Sequence, residues 1–135
     1  IIYNSFWNDL FHANFDLDTI TVKVELVTSA YTENKDTHTK RSDITNEVTG
    51  TGYTAGGNTV AATLALDTAT DKMTLTLAST TWPASTITAR KAIYYVSRGG
   101  AASADELICV DDFGSDVATT ASTFTLNATT ITLQN

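Results

Sequence analysis

Asp111, Asp112 and Asp116 lie within six positions of one another around Phe113-Gly114. Clustered carboxylates in a turn can hold calcium, which takes about 6–8 oxygens. The EF-hand spacing is absent, so the segment is expected to be a solvated acidic turn. Asp112-Phe113-Gly114 also copies the magnesium triplet of protein kinases, but the glycine-rich loop, strand lysine and catalytic-loop motif that give it meaning are missing. Cys109 is the only cysteine, which leaves no partner for a disulfide and no thiolate cage for zinc. Within Leu107-Ile108-Cys109-Val110 it is expected to pack as a small hydrophobe in or near the core. His12 and His38 are far apart and lie in no ligand motif. His12 is expected beside the N-terminal aromatics and His38 on a polar loop.

Four glycines fall in the eight residues Gly50-Thr51-Gly52-Tyr53-Thr54-Ala55-Gly56-Gly57. A phosphate cradle would end in Gly-Lys-Ser/Thr and open a helix. This run does neither, so the glycines are expected at bends or bulges with Tyr53 packed between them. No Gly-x-Ser-x-Gly elbow is present, and no pair of carboxylates stands out for glycoside hydrolysis. The expectation is a protein without catalytic residues, cofactor or metal, one that works by its surfaces rather than as an enzyme.

The elements that would carry those surfaces are mostly strands. Threonine makes up one residue in five and often alternates with apolar residues. Val22, Val24 and Leu26 alternate with Lys23 and Glu25, and Met73, Leu75 and Leu77 alternate with Thr74 and Thr76. A period of two sends one set of side chains to a buried face and the other to a wet one. Threonine, being β-branched, suits that wet face. Strands are expected at residues 19–27, 60–66, 73–77, 86–96, 106–111, 123–127 and 131–133. Residues 67–71 form a five-residue hairpin loop, Trp82-Pro83 breaks the pattern because proline cannot donate to a central ladder, and residues 112–122 are a loop. About seven strands with regular turn signals predict a mainly β chain, an antiparallel β-sandwich or flattened barrel.

The N-terminus differs. Asn4-Ser5 offers an N-cap, Phe6, Trp7, Leu10 and Phe11 follow at helical spacing, Asp9 is placed in about the first turn, and Asn14 is a plausible stop. A short amphipathic helix is expected within a helical arm at residues 1–15. Burying each such side chain stabilises by roughly 1.5–3 kcal/mol, so the face caps one end of the β core or docks on a neighbouring subunit. Residues 29–48 are a polar excursion, with Ser42-Asp43 capping a single turn that carries Ile44 and Val48 on one face. Loops are where β scaffolds place contacts. The candidate contact residues are Phe6, Trp7, Leu10 and Phe11 on the helix, and Lys35, His38, Lys40 and Arg41 on the loop.

The 135 residues fit one domain, with no internal repeat and no linker. Net charge is −7, and the only tight basic pairs are Lys40-Arg41 and Arg90-Lys91. Nucleic acid is therefore not an expected partner, because phosphate binding needs clustered cations. No apolar run approaches the ~20 residues that span a bilayer, so no membrane is expected either. No signal peptide is visible, and the single cysteine fits synthesis in a reducing cytoplasm. The chain starts at Ile1 without methionine, from which a few further upstream residues are expected.

Several ordered stretches carry a resemblance. These are residues 6–31, Gly50-Thr51-Gly52-Tyr53-Thr54-Ala55-Gly56-Gly57, Trp82-Pro83-Ala84-Ser85-Thr86-Ile87-Thr88-Ala89-Arg90-Lys91-Ala92 and Asp112-Phe113-Gly114-Ser115-Asp116. Together they span nearly the whole chain, which resembles a family of small tailed-bacteriophage virion proteins. The resemblance implies a non-enzymatic particle component made in the host bacterial cytoplasm, a capsid decoration or cement protein. Its implied partners are the major capsid protein or other virion proteins, with a homo-oligomer on the particle. A tail or neck component is the alternative within the virion. The last strand departs from the family pattern, which puts a glycine before it; here the run is Ala128-Thr129-Thr130-Ile131. An alternative of another class is a glycan-binding β-sandwich, which would require exposed Trp7, Trp82 or Tyr94 rings.

Overall fold

The computed structural model describes residues 1–134. One helix, α1 (Asn4–Phe11), precedes seven strands: β1 (Thr21–Val27), β2 (Asn58–Val60), β3 (Ala62–Asp67), β4 (Lys72–Leu77), β5 (Thr80–Ser97), β6 (Leu107–Leu126) and β7 (Thr129–Gln134). They form two antiparallel sheets, one in the order β2-β1-β5-β6 and one in the order β3-β4-β7. The mainly β, two-sheet architecture with a short N-terminal helix is the expected one.

The expected strand at 60–66 is two strands. Val60 pairs with Val22 in the first sheet, and Ala62 pairs with Leu77 in the second, so the chain changes sheets at Ala61. The expected break at Trp82-Pro83 is instead a bulge. β5 runs through it, with a shift of register between Trp82 and Ser85 and a positive φ of 49° at Ala84. The expected loop at 112–122 is strand. β6 pairs with β5 from Leu107 to Leu126 and absorbs the extra residues 113–116 opposite the single residue Arg90. Its middle shows no apolar alternation because residues there face water on both sides, and its ladder of backbone hydrogen bonds supplies the order. The hairpin loop between β3 and β4 is one residue shorter than expected, since Asp67 already pairs with Lys72. Neither Asn127 nor Ala128 has positive φ, so the turn into β7 does not need a glycine.

The main core lies between the sheets. Val22, Val24, Leu26, Ala92, Tyr94 and Val96 of the first sheet meet Leu75, Leu77 and Ile131 of the second, and Phe6, Phe15 and Leu17 close one end. Cys109 is buried in this cluster, as expected. A second cluster of Tyr3, Val27, Tyr31, Ile93, Tyr95, Leu107 and Val110 lies on the other face of the first sheet. Residues 29–48 cover that face. The excursion is therefore not a solvated loop but a lid of the sheet's own, whose Tyr31 turns into the second cluster and is 1% exposed.

The glycine segment does the bending that its sequence suggests. Gly57 has φ of 62°, and a Cβ there would overlap the Val24 carbonyl of β1. Tyr53 stacks on Trp82 at 5.9 Å, and its hydroxyl donates to Glu47 Oε1 at 2.9 Å and accepts from the Leu26 amide at 2.9 Å.

Candidate interaction surface

α1 starts one residue earlier than Asn4-Ser5 would place it. Its N-cap is Tyr3, which supplies no side-chain cap, and Asp9 lies beyond the first turn. The Asn4 side chain is used elsewhere, donating to Asp36 Oδ1 at 2.6 Å, while the Asn4 amide donates to the Lys35 carbonyl at 3.0 Å. The start of α1 is thereby tied to the excursion. Tyr3, Tyr31 and His38 continue the tie, with hydroxyls 2.8 Å apart and Tyr31 Oη 2.9 Å from His38 Nδ1. Burial pushes the Tyr31 hydroxyl up to about 12 and Tyr3 higher still, so both hydroxyls stay protonated.

The four aromatic and leucine candidates separate by exposure. Phe6 is 1% exposed, packs edge-on to Trp7 at 5.1 Å and stacks with Phe15 at 6.1 Å, so it belongs to the protein's own core. Trp7 and Leu10 are half-buried, and Phe11 is 80% exposed. A 3.6-residue turn cannot turn all four to one partner; Phe6 points inward and Phe11 outward. An apolar groove runs beside the helix, lined on one side by Trp7 and Leu10 and on the other by Leu64, Met73, Ile131 and Leu133.

The strands explain why that groove is open. Leu64, Leu75 and Ile131 stand in one cross-strand row under the helix, and the next row outward is Leu66, Met73 and Leu133. These three are exposed, at 68%, 37% and 47%. The apolar face of the second sheet thus extends one row past the cover that α1 provides. Sequence alternation places Met73 on the apolar face, but it does not show that the helix stops short of it.

The basic candidates of the excursion are mostly occupied. Arg41 Nε donates to Glu25 Oε2 at 2.7 Å, and its other nitrogens approach Glu47 at 3.8 Å and Asp105 at 3.9 Å. The guanidinium also lies 4.9 Å from the centre of the Tyr95 ring. Lys40 pairs with Glu106 at 3.1 Å, and Glu106 also accepts from Arg98 Nε at 3.0 Å. Lys35 is exposed, and its ammonium pairs with its neighbour Asp36. His38 is half-buried against Tyr31. Lys40, Arg41 and His38 therefore fix the lid, and of the four only Lys35 is left facing solvent. The expected turn is present as 3-10 helix at Arg41–Asp43, but Ile44 joins the second cluster and Val48 the first, so they do not share a face.

Glu25 is what the alternation misses. It stands on the face of β1 that Lys23 would mark as wet, yet it is 2% exposed because the lid covers it. Burial pushes its carboxyl up to about 7 despite the hydrogen bond from Arg41.

The other chemical candidates resolve simply. Burial pushes the Cys109 thiol up to about 12, which keeps it protonated and unreactive. His12 is exposed, with Nδ1 2.8 Å from the Asn8 carbonyl, rather than packed beside the aromatics. Asp112 accepts from the Gly114 amide at 2.8 Å and from Arg90 Nε at 2.9 Å, and these bonds hold its carboxyl below the ordinary range. Asp116 approaches Arg90 at 3.9 Å. The acidic segment is a pinned bulge rather than a free turn, and no metal-binding group of three or more His, Cys, Asp or Glu occurs among the described residues. Trp82 and Tyr94 are 2% and 0% exposed, so neither ring offers a face on which a sugar could stack. No helix among the described residues is long and apolar enough to cross a membrane. Comparison with protein-family models, curated proteins and solved structures finds no match to this chain.

Proposed function

We propose that this chain is a structural component of a tailed-bacteriophage particle, a decoration protein that binds the assembled capsid shell and stabilises it by bridging neighbouring coat subunits. The resemblance of residues 6–31, the glycine segment, 82–92 and 112–116 supports the virion setting. The observation that carries the contact is the open apolar row Leu66, Met73 and Leu133, whose Met73 and Leu133 line a groove with Trp7 and Leu10, together with Phe11 exposed at the end of the same helix. Grouped exposed apolar side chains mark interaction sites far more often than scattered ones do.

The mechanism is mass action. A ligand that binds the assembled shell and not its separate subunits stabilises the assembly by its binding free energy. The two-sheet scaffold holds the row rigid, so little ordering entropy is lost on docking. Because Lys40 and Arg41 are engaged within the fold, the proposed contact uses the helix end and the apolar row, with Lys35 as the loop's contribution. Co-sedimentation of the purified protein with mature shells tests the reading. Uptake should saturate on shells and be poor on unassembled coat subunits; equal uptake on both, or none on shells, overturns it.

A further inference from the structure

β6 is an edge strand of the first sheet, and three different things happen along its outer side. At its start the N-terminal residues lie against it antiparallel. Ile2 bridges Cys109, the Tyr3 amide donates to the Ile108 carbonyl at 3.2 Å, and the Val110 amide donates to the Ile1 carbonyl at 2.7 Å. Next comes the bulge opposite Arg90, whose side chain bonds Asp112 at 2.9 Å. Beyond it, no strand among the described residues lies across the outer side of residues 117–123. Val117, Ala118, Thr120, Ala121, Ser122 and Thr123 are all exposed.

Open edges are normally blunted by lysine, proline or inward-pointing charge. Residues 117–123 contain none of these. They do hold a bulge: the register with β5 shifts between Thr119 and Ser122, Ala121 has φ of 46°, and its amide donates to Thr86 Oγ1 at 2.9 Å, which shortens the regular ladder without covering the edge.

We propose that the 117–123 edge of β6 pairs antiparallel with the same edge of a second copy about a two-fold axis near Thr120, which sets Val117 opposite Thr123. Three observations select a second copy. First, the chain carries −7, so two copies repel unless they meet along an uncharged surface, and these seven residues carry no charge. Second, an antiparallel strand pair about a two-fold is self-complementary, with each open amide meeting its symmetry-related carbonyl. Third, the Ile1–Tyr3 contact shows that this edge already takes an antiparallel strand a few residues upstream. Threonine and valine facing each other across such a ladder are favourable pairs. The two four-stranded sheets then become one continuous sheet in the order β2-β1-β5-β6-β6-β5-β1-β2. So short a strand contact buries less than the ~1,200 Å² of a stable interface. The dimer is therefore weak, and it forms where copies are concentrated.

Sedimentation velocity and amide hydrogen exchange across a dilution series of the purified protein test this without any shell present. The expected result is a sedimentation coefficient that rises with concentration, together with slowed exchange at 117–123. Ala118→Lys and Ala118→Asp should each remove both effects while keeping the parent's circular dichroism, and an equimolar mixture of the two should restore them. Should Ala118→Lys fold poorly, Thr120→Lys serves in its place. A single monomeric species with concentration-independent exchange overturns the proposal. So does association that survives the lysine substitution, or protection of 117–123 that appears only when shells are added, which would assign the edge to a coat-protein strand.

Discussion

Arg41 Nε donates to Glu25 Oε2 at 2.7 Å, and this contact joins the middle of the 29–48 lid to a position on β1 that is 2% exposed. The guanidinium is shared with Glu47 and Asp105, so one cation gathers carboxylates from β1, the lid and the turn between β5 and β6. A buried carboxylate in such a place is tolerated only when paired and hydrogen-bonded.

Removing the cation should therefore cost more than removing the pair. Arg41→Ala is expected to destabilise by roughly 3 kcal/mol at about pH 8, because it leaves a buried charge uncompensated. Glu25→Leu combined with Arg41→Leu should cost less than Arg41→Ala alone. Urea unfolding of the three variants measures both. An Arg41→Ala protein as stable as the parent would show that the lid is held by other contacts.

The pH dependence follows from the direction of the Glu25 shift. Its folded-state value of about 7 lies above its ordinary 4.5, so the folded state holds the proton more tightly. The stability this provides is fully present below about 4.5 and is lost as pH rises through about 7. Glu33, Glu106 and Asp112 run the other way: all three are held low, and their contribution is lost as pH falls. For Glu33 and Glu106 burial opposes the shift, and hydrogen bonds from Lys91 and Arg98 outweigh it; for Asp112 the Gly114 amide is the main cause. Unfolding measured from acid to neutral pH should show a smaller decline in Glu25→Gln than in the parent. Identical slopes would mean that Glu25 does not titrate in that window.

Phe6 and Phe11 should behave oppositely although they sit on one helix. Phe6→Ala removes a core ring and is expected to cost about 3–5 kcal/mol. Phe11→Ala truncates a side chain that is 80% exposed, and its stability should stay within about 0.5 kcal/mol of the parent. Shell binding should fall in Phe11→Ala and in Met73→Ser. Unchanged binding in both would remove the apolar row from the contact.

Cys109 should resist thiol reagents in the native protein and react only on unfolding, since it is 3% exposed and its thiol is pushed up to about 12. Cys109→Ser is expected to cost about 1–3 kcal/mol, the price of a hydroxyl in a dry site, with shell binding intact. Rapid labelling of the folded protein would contradict the burial.

Period-two alternation was enough to find most of the strands, because at Val22-Val24-Leu26 and Met73-Leu75-Leu77 one face is dry and the other wet. It fails where that asymmetry vanishes. Residues 112–122 are wet on both faces, so their threonines, alanines and aspartates resemble a loop although they form a ladder. Glu25 fails in the opposite sense: both faces of β1 are covered there, and the cover comes from a segment whose polarity suggests solvent. The helix was visible from Phe6, Trp7, Leu10 and Phe11, but which of those rings faces outward depends on where β4 and β7 end. That is a tertiary fact without a local signal. Leu66 and Met73 meet across the hairpin that the sequence suggests, but only the pairing of β4 with β7 brings the distant Leu133 into the row.

The central claim, that this chain cements an assembled shell, is tested most directly by the thermal stability of phage particles assembled without it. Such particles should form but open at a lower temperature than complete ones, and adding back the purified protein should restore the lost stability in a saturable manner, with Phe11→Ala restoring less. Particles equally stable with and without the chain would contradict the claim and favour the tail or neck assignment.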